Sequence, residues 1–221
     1  MSRNLKTQPP MPHRGFRLAL NYFVWFVVRL LFRMEFQGLE HVPASGPVIL
    51  VGNHTSMFDM LVIHTKIRPW ICWVAKKELF SIPVLGGILR LLGCIPVDRD
   101  KTDLLAARAI FKSIRDRQII GMYPQGTRVK PDRVPFVRPR TGAVHFAIKT
   151  GTPMMPVAVA GRFRLFGKVR IIFGPLIELG LDPHDHYSQS ELNRLTIETM
   201  QRVYSLIGVD YQLAPGVMDG E

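Results

Sequence analysis

Short, continuous apolar runs recur along the chain after Gly38 and alternate with longer segments that have helical periodicity. Such runs are typical of strands that are buried on both faces of a sheet. Their alternation with helices predicts an α/β fold. We predict strands over residues 48–52, 71–75, 94–97, 119–123, 156–160 and 169–173. We predict helices over residues 59–65, 83–92, 102–117, 141–149 and 188–207, with Thr102 as the N-cap of the third.

The segment that precedes this alternation, residues 16–36, is largely apolar and rich in aromatic residues. The polar residues that interrupt it are Arg17, Asn21, Arg29 and Arg33. Its longest run without a charge is eleven residues, which is too short to span a bilayer. Aromatic side chains beside arginines favour a helix that lies in the membrane interface, and a helix packed on the protein's own core is the alternative. Upstream basic residues that would assist membrane binding are Arg3, Lys6, His13 and Arg14.

The length and the charge of the chain limit its organisation and its partners. With 221 residues, the chain is long enough for one sizeable core, and we predict a membrane-docking segment over residues 1–36 and an α/β domain over residues 37–221. Twenty-nine Lys and Arg against seventeen Asp and Glu favour an anionic partner. Aromatic residues do not interleave with the basic ones, so we expect no nucleic-acid partner. Cys72 and Cys94 are interpreted as reduced core residues.

A histidine and an aspartate follow the first buried strand, in the stretch NHTSMFD over residues 53–59. Loops at the carboxyl ends of strands commonly carry functional groups in α/β sheets. With His54 in the loop and Asp59 in the first helical turn, the carboxylate would accept a hydrogen bond from one ring nitrogen, which fixes the tautomer, and leave the other nitrogen free to act as a base. The alternative is a structural capping box, in which Ser56 caps the helix and Asp59 returns a bond three residues later.

Three further stretches follow in a fixed order: AKKELFSIPVLGGILRLLGCIPVDR over residues 75–99, MYPQGTR over residues 122–128, and MMPVAVAG over residues 154–161. Together with NHTSMFD, these stretches resemble the four sequence blocks of the glycerolipid acyltransferases of the 1-acylglycerol-3-phosphate acyltransferase family. The resemblance covers about residues 36–175. It implies a mixed, largely parallel β-sheet flanked by helices. It also implies a peripheral or monotopic protein at the cytoplasmic face of the cell membrane.

The resemblance further implies a reaction. A fatty acyl group would pass from acyl-CoA or acyl carrier protein, as co-substrate, to the free hydroxyl of lysophosphatidic acid, and the product would be phosphatidic acid. His54 would be the general base, and Asp59 would orient it. Backbone N–H groups near Thr55 and Ser56 are candidates for binding the oxyanion. The partners would be lysophosphatidic acid, anionic phospholipids and the acyl donor, with no cofactor and no metal.

Basic residues within these blocks resemble the phosphate contacts of the family. They are Lys76 in the second block and Arg128 in the third, with Arg99 as a third candidate. Gly126 and Thr127 allow a tight turn whose backbone donors would add to the same site. Elsewhere in the chain, a single lysine or arginine is interpreted as a solvated surface charge. The histidines at 64, 145, 184 and 186 have no paired ligand spacing, which argues against a metal hydrolase.

The third block departs from the pattern of the family it resembles. That pattern usually has Phe-Pro-Glu-Gly-Thr, whereas this chain has Tyr123-Pro-Gln125-Gly-Thr. An amide in place of the carboxylate keeps the size and one acceptor oxygen but removes a charge. Either Gln125 still orients the site through hydrogen bonds, or the enzyme uses a different lysolipid or another hydroxyl acceptor. A non-catalytic, basic membrane-binding protein is the remaining alternative.

Overall fold

The structure is a computed structural model. It describes residues 14–67 and 69–218, except for the side chains of Arg14 and Arg17. The basic residues predicted to assist membrane binding at positions 3, 6 and 13 lie outside this part. The described strands and α-helices are, in chain order, α1 (Arg14–Leu31), β1 (Arg33–Gln37), β2 (Val48–Gly52), α2 (Asp59–His64), β3 (Ile71–Lys76), α3 (Leu85–Leu91), β4 (Ile95–Val97), α4 (Leu104–Arg115), β5 (Ile119–Met122), α5 (Gly142–Thr150), β6 (Met154–Gly161), β7 (Lys168–Phe173) and α6 (Gln189–Ser205).

The strands form one sheet in the order β1-β7-β6-β2-β5-β3-β4. Every neighbouring pair is parallel except β6 with β7, which is antiparallel. The prediction of a mixed, largely parallel sheet flanked by helices is therefore confirmed. Because β2, β3, β4 and β5 run in one direction, their carboxyl ends meet at the same edge of the sheet. The loops that carry His54, Lys76, Arg99 and Arg128 all leave the sheet at this edge.

Helices cover both faces of the sheet. Side chains of β2 alternate between two cores, with Ile49 and Val51 in one and Val48 and Leu50 in the other. Helices α4, α5 and α6 pack on the first core, and α1, α2 and α3 pack on the second. Burial on both faces explains why this strand reads as a continuous apolar run. Cys72 and Cys94 are buried in opposite cores, in agreement with their interpretation as core residues.

The predicted elements after Gly38 are all present, with ends that differ by up to two residues from the prediction. The N-cap prediction for the third helix is wrong. The helix begins at Leu104, and the cap is Asp103, whose carboxylate accepts hydrogen bonds from the backbone N–H groups of Leu105 and Ala106. A carboxylate next to Thr102 is the stronger acceptor for these free N–H groups. For the last helix, Ser188 and Glu191 form a complete capping box.

The predicted helix over residues 16–36 is too long. Helix α1 ends at Leu31, and β1 follows as an edge strand that pairs parallel with β7. This strand was missed because only Met34 and Phe36 in it are apolar and partly buried. It has no apolar run of its own, and it directly follows the apolar sequence of α1. The boundary predicted between residues 36 and 37 falls inside β1.

Helix α1 exposes several large apolar side chains. Tyr22, Phe23, Phe26 and Leu30 are each between 61% and 70% exposed, whereas Val28 is buried in the core. The Arg29 guanidinium lies 5.5 Å from the centre of the Trp25 ring. Among the described residues, no helix has both the length and the apolar character needed to cross a membrane. The helix thus has one face on the sheet and another, aromatic face that no described residue covers.

One glycine allows an aromatic ring to lie against the centre of the sheet. Gly121 of β5 is paired with Trp73 of β3, and a Cβ atom at Gly121 would lie only 2.3 Å from the Trp73 ring. The indole therefore occupies the space over the glycine. Any larger residue at this position would displace Trp73.

We expect Gly121→Ala to lower the free energy of unfolding by about 1–3 kcal/mol, because the added methyl group overpacks the sheet against Trp73. Gly87→Ala is the matched control, since a Cβ atom at this helical position meets no atom within 4 Å. Alanine in a helix is favoured over glycine by about 0.5–1 kcal/mol. Urea unfolding of the three proteins measures both effects, and equal stability of Gly121→Ala and the unsubstituted protein would contradict this packing.

Candidate active site

His54 and Asp59 are in direct contact at the carboxyl end of β2. The distance from His54 Nδ1 to Asp59 Oδ2 is 2.8 Å. The Asp59 side chain is fully buried, whereas the His54 side chain is 17% exposed. A carboxylate only accepts, so Nδ1 carries the proton that is donated, and Nε2 is left as the unprotonated nitrogen of the neutral ring. The pair thus has the tautomer that a base requires.

The Asp59 carboxylate also binds the loop that carries the histidine. Oδ2 accepts hydrogen bonds from the backbone N–H groups of Thr55 at 2.7 Å and Ser56 at 2.8 Å. Oδ1 accepts one from the Thr55 hydroxyl at 3.0 Å. The N–H groups near Thr55 and Ser56 were predicted to bind an oxyanion, and this prediction is wrong, because Asp59 already occupies both. The capping box is only half formed, since the Ser56 hydroxyl accepts from Phe58 N and not from Asp59 N.

Two aromatic rings are stacked in sequence on one face of the His54 imidazole. The Tyr123 ring lies parallel to the His54 ring, with 4.2 Å between the centroids and 9° between the planes. Trp73 stacks on Tyr123 at 5.2 Å and 11°. Burial, assisted by the negative charge of Asp59, raises the pKa of Tyr123 well above its ordinary value. Tyr123 therefore closes one face of the imidazole as a neutral ring, a role that was not predicted from the sequence.

Asn53 holds the base of the same loop against the neighbouring strand. Its side-chain amide donates to Val159 O at 2.9 Å, and its side-chain oxygen accepts from Val159 N at 2.8 Å. On the other side of the histidine, the His54 carbonyl accepts a hydrogen bond of 2.7 Å from Val129 N. These contacts tie the loop to β6 and to the segment after Arg128. In the sequence, the signal for Asn53 was an amide residue placed directly after the apolar run of β2.

Gln125 lies behind the histidine loop, where it is only 4% exposed. Its side-chain oxygen accepts from His54 N at 3.3 Å, and its side-chain nitrogen donates to the Tyr204 hydroxyl at 3.0 Å. Both ends of the amide are therefore engaged within the protein. The structure places this predicted substrate-binding residue in the protein interior and not among the exposed cations.

Basic side chains lie on loops at the same edge of the sheet as His54. Arg128 is exposed, and no other described residue forms a hydrogen bond or an ion pair with it. Arg99 donates to the carbonyl of Gly126, which joins the loop after β4 to the turn after β5. Lys76 ends β3 opposite Val97 of β4 and is about half exposed, 3.7 Å from Glu78. The structure brings together the loops of these three predicted phosphate contacts.

The turn after β5 has the tight shape predicted from its glycine. Gly126 has a φ of 67°, in the left-handed region that favours glycine, and its N–H donates to Tyr123 O at 2.9 Å. Thr127 is exposed next to it. This geometry leaves the backbone of residues 126–128 at the surface, beside the cations.

Arg140 is a further cation at this site that was not predicted. It donates from Nη1 to Arg99 O at 2.7 Å, and its backbone N–H donates to Pro124 O at 2.8 Å. Burial, and then the nearby charge of Arg140, lower the pKa of Arg99. Both guanidinium groups lie against Gly126, because Arg99 donates to its carbonyl and a Cβ atom there would be 3.2 Å from Arg140 Nε. Two guanidinium groups beside one turn favour an anion. The signal in the sequence was the basic segment over residues 125–140. Nothing in that segment distinguishes Arg140 from its basic neighbours.

Asp98 neutralises the lysines at the margin of the cluster. Its carboxylate lies 2.5 Å from Lys77 Nζ and 3.7 Å from Lys101 Nζ. The hydrogen bond from Lys77 lowers the pKa of Asp98, so the carboxylate is charged at neutral pH. These lysines are therefore paired, whereas Arg128 is available to a ligand. Among residues 14–67 and 69–218, no three His, Cys, Asp or Glu side chains form a group suited to a metal ion.

The chain is similar to proteins of known family. A family model described as Acyltransferase matches residues 33–160. The 1-acyl-sn-glycerol-3-phosphate acyltransferase of Bacillus subtilis is 32% identical over 141 residues, which are 61% of this chain and 69% of that protein. The protein of the same name from Escherichia coli is 31% identical over 156 residues, 68% of this chain and 62% of that protein.

A solved structure shares the fold. The crystal structure of the 1-acyl-sn-glycerophosphate acyltransferase PlsC from Thermotoga maritima superimposes with a TM-score of 0.66 at 24% identity, over 89% of this chain and 82% of that chain. The family match covers β1 to β6 and with them the loops of His54, Arg99 and Arg128. On its matched sequence and its relatives, the chain belongs to the acyltransferase family, among the 1-acyl-sn-glycerol-3-phosphate acyltransferases.

Proposed function

We propose that this enzyme transfers a fatty acyl group from acyl-CoA or acyl carrier protein to the free hydroxyl of 1-acylglycerol-3-phosphate. The product is phosphatidic acid, an intermediate of phospholipid biosynthesis. The observation that carries the proposal is the 2.8 Å contact between His54 and the buried Asp59, beside cations suited to a phosphate. The names of the relatives from Bacillus subtilis and Escherichia coli support the same acceptor.

In the proposed mechanism, His54 Nε2 removes the proton of the acceptor hydroxyl as its oxygen attacks the thioester carbonyl. Asp59 stabilises the imidazolium that forms, because the carboxylate is charged and lies against Nδ1. The tetrahedral intermediate then collapses: the new ester C–O bond remains, the C–S bond breaks, and the thiolate takes the proton from the imidazolium. No cofactor beyond the acyl donor enters this scheme.

The phosphate of the acceptor binds at the cations beside His54. Arg128 is exposed and without a partner in the described part of the chain, so it is the principal contact. Lys76, Arg99 and the backbone of Gly126 and Thr127 complete the site that we propose. A phosphate held here places a glycerol hydroxyl, a few bonds away, within reach of the imidazole.

The aromatic face of α1 docks the enzyme on the cytoplasmic face of the cell membrane, as a peripheral or monotopic protein. Phe23, Phe26 and Leu30 are exposed on this helix, and such side chains gain free energy on entering the lipid interface. The net charge of +12 favours anionic phospholipids. Both the lysolipid substrate and the product would remain in the bilayer.

We expect His54→Ala to lower kcat/KM by about 10²- to 10⁴-fold. Asp59→Asn should lower kcat about 10²-fold or more while the melting temperature stays near that of the unsubstituted protein, because the amide keeps an acceptor but loses the charge that stabilises the imidazolium. His184→Ala, in an exposed polar loop, is the control. Acyl transfer from labelled acyl-CoA and from acyl carrier protein to lysophosphatidic acid measures these rates. Full activity of His54→Ala would exclude the mechanism and favour a non-catalytic membrane-binding role.

Gln125→Glu tests whether the amide selects a different acceptor. We expect the order of preference among lysolipids to stay the same, with turnover changed less than about tenfold, because a carboxylate at this buried position would accept from both His54 N and the Tyr204 hydroxyl. The measurement compares kcat/KM for lysophosphatidic acid, lysophosphatidylcholine and lysophosphatidylethanolamine, with Tyr123→Phe as the second variant that restores the family residue. A reversed order of acceptors in Gln125→Glu would favour the alternative substrate.

We expect the double substitution Phe23→Ser and Phe26→Ser to weaken binding to vesicles by about tenfold or more, because two exposed aromatic side chains no longer enter the lipid. The matched control is Leu104→Ser, which removes a side chain of similar exposure from α4 on the opposite face of the sheet. Sedimentation with vesicles that contain phosphatidylglycerol measures binding. Equal losses in both proteins would count against docking through α1.

A further inference from the structure

Tyr204 contacts the active site from a part of the chain that the family match does not include. It lies near the end of α6, forty-four residues beyond the matched segment that ends at residue 160. Its side chain is 5% exposed, and its hydroxyl lies 3.0 Å from the side-chain nitrogen of Gln125. The last helix of the chain is thereby joined to the loop of the catalytic base through one buried amide.

The two partners of Gln125 fix the direction of its amide. The His54 backbone N–H only donates, so the side-chain oxygen must face it, and the two atoms are 3.3 Å apart. The side-chain nitrogen then faces Tyr204, whose hydroxyl oxygen accepts. If the hydroxyl is lost, the buried nitrogen has no acceptor, and the amide is no longer held in one orientation.

We propose that Tyr204 is a positioning residue for acyl transfer, which acts through Gln125 on the backbone of His54. This inference rests on the proposed function, in which His54 is the general base. Val129 holds the His54 carbonyl and Asp59 holds the His54 ring, and Gln125 supplies the partner of the His54 backbone N–H. A small displacement of the base costs rate without weakening the binding of substrate.

Tyr204 is itself held rigidly and stays neutral. Its ring stacks on the ring of Tyr211, with 4.9 Å between the centroids and 19° between the planes. Burial raises the pKa of Tyr204 above its ordinary value, so the hydroxyl is protonated over the working range of the enzyme. The Tyr211 hydroxyl is buried and has no hydrogen-bond partner among the described residues. Removal of either hydroxyl leaves the stacked pair of rings in place.

The test compares Tyr204→Phe, Gln125→Met and the double variant, with Tyr211→Phe as the matched control. We expect Tyr204→Phe to lower kcat by about three- to tenfold with KM unchanged. In the Gln125→Met background, Tyr204→Phe should have no further effect, because the bond through which it acts is already absent. Tyr211→Phe should retain the unsubstituted rate. Thermal unfolding confirms that each protein is folded at the assay temperature.

An equal loss from Tyr204→Phe in both backgrounds, an equal loss from Tyr211→Phe, or full activity of Tyr204→Phe would each overturn the proposal. A second measurement does not depend on activity: the backbone amide resonance of His54 and its rate of hydrogen exchange in the nitrogen-labelled protein. Tyr204→Phe should shift this resonance and speed the exchange, whereas Tyr211→Phe should not. If the unsubstituted protein transfers no acyl group to lysophosphatidic acid, the proposed function fails, and this resonance still decides whether Tyr204 positions the loop.

Discussion

A single buried carboxylate organises the active site. Asp59 is fully buried and accepts hydrogen bonds from the His54 ring, from two backbone N–H groups and from the Thr55 hydroxyl. A buried charge is tolerated only when it is paired or hydrogen-bonded, and this loop supplies donors to both oxygens. The bonds that compensate the charge also shape the loop and orient the imidazole. The capping interpretation and the chemical interpretation of the pair are therefore compatible, because the same acid shapes the loop at the helix start and orients the imidazole.

The direction of the strands explains why distant blocks of sequence meet. His54, Arg99 and Gln125 follow β2, β4 and β5, and Lys76 ends β3; these four strands run parallel, so the four residues share one edge of the sheet. Hydrogen bonds then join the loops to one another, from Val129 to His54 and from Arg99 to Gly126. His54 and the cations are consequently part of one connected structure.

Strands buried on both faces could be predicted from the sequence because their apolar runs are continuous, as in β2 and β5. The edge strand β1 could not be predicted, since only alternate residues are partly buried and its sequence directly follows the apolar sequence of α1. The pair of His54 and Asp59 was accessible through local spacing, whereas Arg140 and Tyr204 reach the site only through the tertiary fold. The prediction of the oxyanion donors was wrong because the spacing of residues in the sequence does not show which acceptor each backbone N–H group binds in the fold.

The closed face of the imidazole makes the site asymmetric. Tyr123 covers one side of the His54 ring at a distance that leaves no room for a ligand, and the cations lie at the same edge of the sheet. Under the proposed function, a phosphate at these cations would bring the acceptor hydroxyl to the imidazole from its open side. The stacked tyrosine therefore limits the directions from which any molecule can reach the imidazole.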